Sequence, residues 1–174
     1  MLENIYNYWP RYNRVIDYFY AKWLRLFGGR NILQHDDLEK IKHISLMAYG
    51  EDVDCYRGVN TVAEFVDGIG CDAAQLDFNV EDGFYWLCIE HYNCIELYDL
   101  ASETCRYVNI TKVIAEFFKR YNKKIIYCKS RATTSYPILK LYEKRGKIEI
   151  PTDMVRTSFG EEYHLMTVRS KIKV

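Results

Sequence analysis

The stretch that most constrains the fold runs from Cys94 to Ile150 and reads strand, helix, strand, helix, strand. Cys94-Ile95-Glu96-Leu97-Tyr98-Asp99-Leu100 alternates apolar and polar residues like a half-buried strand. From Asn109 to Tyr121, Ile110, Val113, Ile114, Phe117 and Phe118 recur at helical spacing. Asn109 is the expected N-cap, because its side chain can accept from a free N–H of the first turn, and Asn122 is the expected stop. Lys124 to Cys128 is a short apolar run of the kind buried in a sheet. Ser135 to Arg145 is a second helix, with Pro137 in its first turn, where a missing N–H costs little. Gly146 ends that helix, Lys147-Ile148-Glu149-Ile150 is the next strand, and Pro151-Thr152-Asp153 is expected to break it. A strand, a crossover helix and a strand of these lengths form a βαβ unit. Ile95–Leu100 and Ile125–Cys128 should therefore run parallel.

The flanking segments add helices before this unit and strands on both sides of it. Tyr12 to Phe27 has an aromatic-rich amphipathic helical pattern that Gly28-Gly29 stops. Its aromatic face is expected to pack on the domain, with a partner chain or a second copy as the alternative. Asn31 to Gln34 reads as a short strand. Asp36 to Tyr49 is a helix with acidic residues in its first turn, where they suit the helix dipole, and His43 is read as an exposed helix residue. Thr61 to Asp67 is a short helix capped by Asn60 or Thr61. Gly68-Ile69-Gly70 is its terminating turn and not a dinucleotide fingerprint, since no strand precedes it. Ala73 to Phe78 is a strand or a turn, and Glu81-Asp82-Gly83 is a turn. Phe84 to His91 is a strand that Tyr92-Asn93 folds back into Cys94–Leu100. Phe159-Gly160 is a further turn, and Tyr163 to Arg169 is a closing strand.

The 174 residues set one domain as the expectation, with 1–30 as a helical extension and 36–169 as the core. Six cysteines without a C-x-x-C pair argue against zinc-knuckle and thioredoxin-type sites, and no metal is expected. Cys88, Cys94 and Cys128 fall in expected strands and read as buried thiols of a reduced, cytoplasmic protein. No run reaches the ~18 apolar residues of a membrane span, and the N-terminus has no signal-peptide pattern. Net charge is zero, yet residues 51–103 carry 13 acidic and one basic side chain, and residues 119–149 carry ten basic and two acidic. Such asymmetry suggests a bipolar surface, and the alternative, which is the expected one, is that the fold interleaves these segments so that their fields cancel. Zero net charge and the lack of a recognised module argue against nucleic-acid binding.

Ser135-x-x-Ile138-x-x-x-Tyr142-Glu143-Lys144-x-Gly146 resembles the Asn-x-x-Ala-x-x-x-Tyr-Glu-Lys-x-Gly-Phe motif of the GNAT superfamily of N-acetyltransferases. Ser135, Ile138 and Lys147 depart from it, and the Tyr-Glu-Lys-x-Gly core is kept. The resemblance covers roughly residues 36–169 and implies an α/β (α+β) fold: a mixed, mostly antiparallel twisted sheet flanked by helices, here preceded by an aromatic helix. It implies acetyl-CoA as acyl donor, Tyr142 as the acid that protonates the leaving thiolate, and Glu96 as the base that deprotonates an amine. Leu100, Ser102, Arg106, Arg131 and Ser135 are the implied coenzyme contacts, with Lys129 a further cation nearby. One departure stands out. The family's glycine-rich loop, which cradles the pyrophosphate with backbone N–H groups, is replaced by Ser102-Glu103-Thr104-Cys105-Arg106-Tyr107-Val108-Asn109, and no glycine occurs between Gly83 and Gly146. Two functions follow: a divergent acetyltransferase, or a GNAT-fold binding or structural protein without catalysis. The Tyr content, small size and drifted motif also resemble proteins of bacteriophages, which would place the chain in a host cytoplasm or a virion.

Overall fold

The computed structural model describes residues 14–50, 56–103, 107–122, 124–133, 135–158 and 160–172. Its elements are α1 (Arg14–Phe27), α2 (His35–Tyr49), α3 (Val62–Ile69), β1 (Leu76–Glu81), β2 (Phe84–Glu90), β3 (Cys94–Ser102), α4 (Tyr107–Arg120), β4 (Ile125–Arg131), α5 (Ser135–Lys144), β5 (Ile148–Ser158) and β6 (Glu161–Ser170). The six strands form one sheet in the order β1-β2-β3-β4-β6-β5. Every pairing is antiparallel except β3 with β4, which is parallel as the βαβ pattern requires.

Each face of the sheet carries its own core. On one face α4 and α5 bring Phe117, Phe118, Tyr121, Ile138 and Tyr142 onto Trp86, Cys88, Ile95, Ile126 and Met166. On the other, α2 and α3 bring Leu38, Ile41, Ile44, Phe65 and Ile69 onto Tyr85, Leu87 and Ile89. Burying a side chain such as Phe117 or Ile126 contributes on the order of 2 kcal/mol. With both faces covered, β2 is buried along its whole length, which is why its sequence shows no alternation.

The ends of the elements follow local chemistry. Thr61 caps α3, accepting from the Glu64 N–H at 3.2 Å while the Glu64 carboxylate takes the Thr61 N–H at 3.2 Å. The N–H of Gln34 at the start of α2 donates to the Asp37 carboxylate at 3.0 Å. Gly70 ends α3 in a left-handed conformation, φ 79°.

Five expectations change. The aromatic face of α1 does not pack on the domain: Phe19, Trp23 and Phe27 are exposed, because Asp17 and Tyr20 anchor the helix by its other side. Residues 31–34 are a loop, with Leu33 buried in the α2/α3 core. The strand reading of Ala73–Phe78 narrows to β1 from Leu76, after a turn. Asn109 is not at the helix boundary, because α4 begins at Tyr107. Pro151 does not break its strand. β5 continues to Ser158 with a register irregularity between Glu149 and Thr152, which places Pro151 at a bulge on an edge strand, where a missing N–H leaves no ladder bond unmade. Tyr12, Cys55, Cys105, Arg106 and Phe159 lie outside the described residues.

The unequal charge along the chain is interleaved by the sheet. Arg120 of α4 clamps Asp77 of β1 with two bonds of 2.9 and 3.0 Å, and Lys124 meets Glu90 of β2 at 2.5 Å. Among the described residues no helix is long and apolar enough to cross a membrane.

Candidate functional site: the gap between the parallel strands

The parallel pair does not stay together. Only Cys94–Leu97 pair with Ile125–Cys128, although β3 runs on to Ser102 and β4 to Arg131. Divergence begins where β3 bulges: Cys88 faces Leu97 and Leu87 faces Asp99, so Tyr98 is the extra residue. Strict alternation would put Leu97 and Asp99 on one face. The bulge instead sends Leu97 and Leu100 to the α4/α5 core and Tyr98 and Ala101 to the α2/α3 core.

Asp99 is thereby brought among tyrosines. Tyr56 and Tyr85 donate to its Oδ2 at 2.5 and 2.6 Å, and Tyr49 lies 3.1 Å from its Oδ1. Burial, and secondarily the Asp99 carboxylate, push the Tyr85 phenol well above its ordinary range, so it stays a donor. Leu100 is bonded to side chains: its N–H donates to Asp99 Oδ1 at 2.8 Å, and its carbonyl accepts from Tyr49 Oη at 2.8 Å. β4 takes neither group, since its pairing with β3 ends at Leu97. Across the gap the Arg131 guanidinium lies 5.4 Å from the centre of the Tyr49 ring and 3.4 Å from the Glu161 carboxylate.

The residues read from the sequence distribute around this gap unevenly. Leu100 and the buried Ser102 line the β3 arm, Arg131 the β4 arm, and Ser135 starts α5 just beyond it. Tyr142 is nine-tenths buried in the α4/α5 core. Glu96 is not beside it. It pairs with Ile89 across β2 and shares the α2/α3 face, in the part of β3 still joined to β4. There its Oε2 lies 3.3 Å from His91 Nε2, and His91 Nδ1 lies 2.5 Å from Asp17 of α1. Burial alone would lower the His91 pKa, but the hydrogen bonds to Glu96 and Asp17 outweigh it and the pKa is raised. Arg106 lies outside the described residues. Lys129 sits over the Tyr163 ring at 4.0 Å, and burial followed by the nearby Arg131 charge lowers its pKa.

Beyond Ser102 the chain is tied down. The Glu103 N–H donates to the Gly83 carbonyl at 2.9 Å, and its carboxylate lies 3.4 Å from His43 Nε2. A groove of about 420 Å³ opens beside this pair, lined by Lys40, His43, Asp82 and Glu103. A second, of about 530 Å³, lies between β1 and α4, and neither includes a residue of β4.

One cluster had no signal in the sequence. His164 of β6 stacks on Tyr136 of α5 with ring centres 3.5 Å apart, and its Nδ1 lies 2.8 Å from Asp153 Oδ1. Tyr136 donates to the other Asp153 oxygen at 2.8 Å. The three residues pin the first turn of α5, and Ser135 with it, to the β5/β6 hairpin. They lie up to 28 positions apart in sequence, so only the sheet register brings them together.

The architecture is shared with known enzymes. The ribosomal-protein-S18-alanine N-acetyltransferase from Escherichia coli superposes with a TM-score of 0.51 at 12% identity, covering 83% of this chain and 94% of that one. The chain has the GNAT fold. A putative GNAT-family acetyltransferase from Bacteroides thetaiotaomicron gives a TM-score of 0.49 at 12% identity, over 82% of this chain and 87% of that one. The PaiA N-acetyltransferase from Thermoplasma acidophilum in complex with coenzyme A gives 0.41 at 12% identity, over 80% and 96%. No protein-family model matches the sequence, and no curated protein matches it significantly. In this fold Leu100, Ser102 and Arg131 lie on the two arms of the gap between β3 and β4, and Ser135 follows just beyond it.

Proposed function

We propose that the chain is an N-acyltransferase that takes its acyl group from acetyl-CoA in the gap between β3 and β4. The observation that supports this reading is the divergence of the parallel pair after Leu97 and Cys128, immediately beyond a bulge. The polar groups there suit the amide-bearing arm of the coenzyme. Leu100 offers one N–H and one carbonyl, both held by side chains that can give way, and Ser102, Arg131 and Ser135 add hydroxyl and guanidinium donors. Bound there, the coenzyme would supply a thioester whose carbonyl an amine can attack.

The chain's own residues would manage the protons. Tyr142, on the α5 side, donates a proton to the departing thiolate. Glu96, on the opposite face, takes the amine proton through water, its carboxylate oriented by His91. The Tyr136–Asp153–His164 cluster holds the first turn of α5, and with it Ser135, in place.

A second reading, a GNAT-fold binding protein without transfer, is favoured by one observation. The Glu103 N–H, in the connection that would have to cradle a pyrophosphate, is engaged by Gly83, and its carboxylate adds a negative charge there. Calorimetric titration with acetyl-CoA and with CoA separates the two. Micromolar binding that is lost when Ser135 is replaced by Asp supports the acyltransferase. No heat up to millimolar concentrations leaves the binding protein.

A further inference from the structure

Helix α1 is held to the body mainly by polar contacts. Asp17 meets His91 at 2.5 Å and accepts the Tyr92 N–H at 3.0 Å. Tyr20 donates to Glu90 at 2.5 Å, and Arg25 bonds Asp72 at 2.6 Å. Only Ala21 and Leu24 of its apolar residues are buried. Val15, Ile16, Phe19, Trp23, Leu26 and Phe27 are 43–75% exposed. Their spacing of three, four and seven residues puts them on one stripe of the helix.

The area of this stripe exceeds what a monomer ordinarily exposes. Six such side chains at these exposures present roughly 750 Å², above the ~300–600 Å² of a typical largest surface patch and close to the ~800 Å² that each partner gives a stable interface. Beside the stripe, Asp17 and Arg25 are bonded to the body, and Lys22 lies over the Tyr18 ring at 4.5 Å.

We infer that the stripe is a dimer interface, covered by α1 of a second copy of this chain. An antiparallel pairing about a two-fold axis beside Trp23 sets Phe19 against the partner's Leu26 and brings the two Trp23 side chains together next to the axis. The facing residues are then apolar on both chains.

Sedimentation equilibrium of the full chain tests this. The expected result is twice the monomer mass of 20.7 kDa, kept at about 1 M salt because the contact is apolar. Phe19→Glu with Leu26→Glu should weaken association by about 30-fold or more. Their far-UV circular dichroism should stay that of the wild type, since both positions face solvent. Trp23→Arg serves as a second variant. A monomer at about 100 μM overturns the inference, whether the stripe is bare or cross-links to residues 1–13 of its own chain. A dimer that survives all three substitutions overturns it equally.

Discussion

The phenol of Tyr49, at the end of α2, donates to the main-chain carbonyl of Leu100 on β3 at 2.8 Å. A helix side chain thus occupies a backbone acceptor that a parallel neighbour would take if β3 and β4 stayed paired. If coenzyme amides use the same acceptor, Tyr49 competes with them. Tyr49→Phe should then raise affinity for CoA by about 2- to 10-fold, the worth of one net hydrogen bond. Calorimetry on the two proteins decides this, and equal or weaker binding by the variant would remove Leu100 from the coenzyme contact.

Tyr142 carries the proposed acid role from within the α4/α5 core. Tyr142→Phe removes one hydroxyl and little packing. Turnover with an acceptor amine should fall by about 100-fold. Affinity for CoA should change by no more than about 2- to 3-fold. A variant that retains wild-type turnover would sink the assignment.

His91 makes the attachment of α1 depend on pH. Its raised pKa means the folded chain holds the proton more tightly than the unfolded one. That stabilisation is complete below about 6.5, the ordinary imidazole value, and disappears as pH rises through the higher folded value. Urea unfolding of the wild type and His91→Gln at about pH 6 and about pH 8.5 should show the wild type's advantage at the lower pH and a smaller one at the higher. A constant difference would contradict it.

Asp77 ties β1 to α4 by accepting from Tyr121 and from the Arg120 guanidinium, and Tyr121 also lies 3.2 Å from Cys88 Sγ. Asp77→Ala leaves a buried phenol short of its acceptor, while Arg120 remains about half solvated. Stability should fall by about 2–4 kcal/mol, and by less for Asp77→Asn, which can still accept. Urea midpoints at unchanged slope are the measurement.

Much of the fold is legible in Cys94–Ile150 because its cues are local. The periodicity of β3, α4, β4 and α5 and the length of the crossover require a parallel pair. The glycine after Arg145 adopts φ 67° and ends α5. Local chemistry also misleads. Asn109 looks like a cap, yet α4 starts earlier. Pro151 looks like a strand break, yet an edge strand tolerates it because no neighbour needs its N–H.

The sequence by itself determined the order of elements from β2 to β6 and the parallel pairing, since these depend on residues near one another in the chain. Tertiary structure alone decided the rest. The bulge at Tyr98 turned Asp99 out of the α4/α5 core and under three phenols from α2, β2 and the segment before α3. The register of β5 on β6 built the His164–Asp153 pair. The bonds from Asp17, Tyr20 and Arg25 to His91, Glu90 and Asp72 turned the apolar stripe of α1 outward. Each outcome rests on partners tens of residues away, where a buried polar group must find its bond, and one-dimensional periodicity carries no information about that.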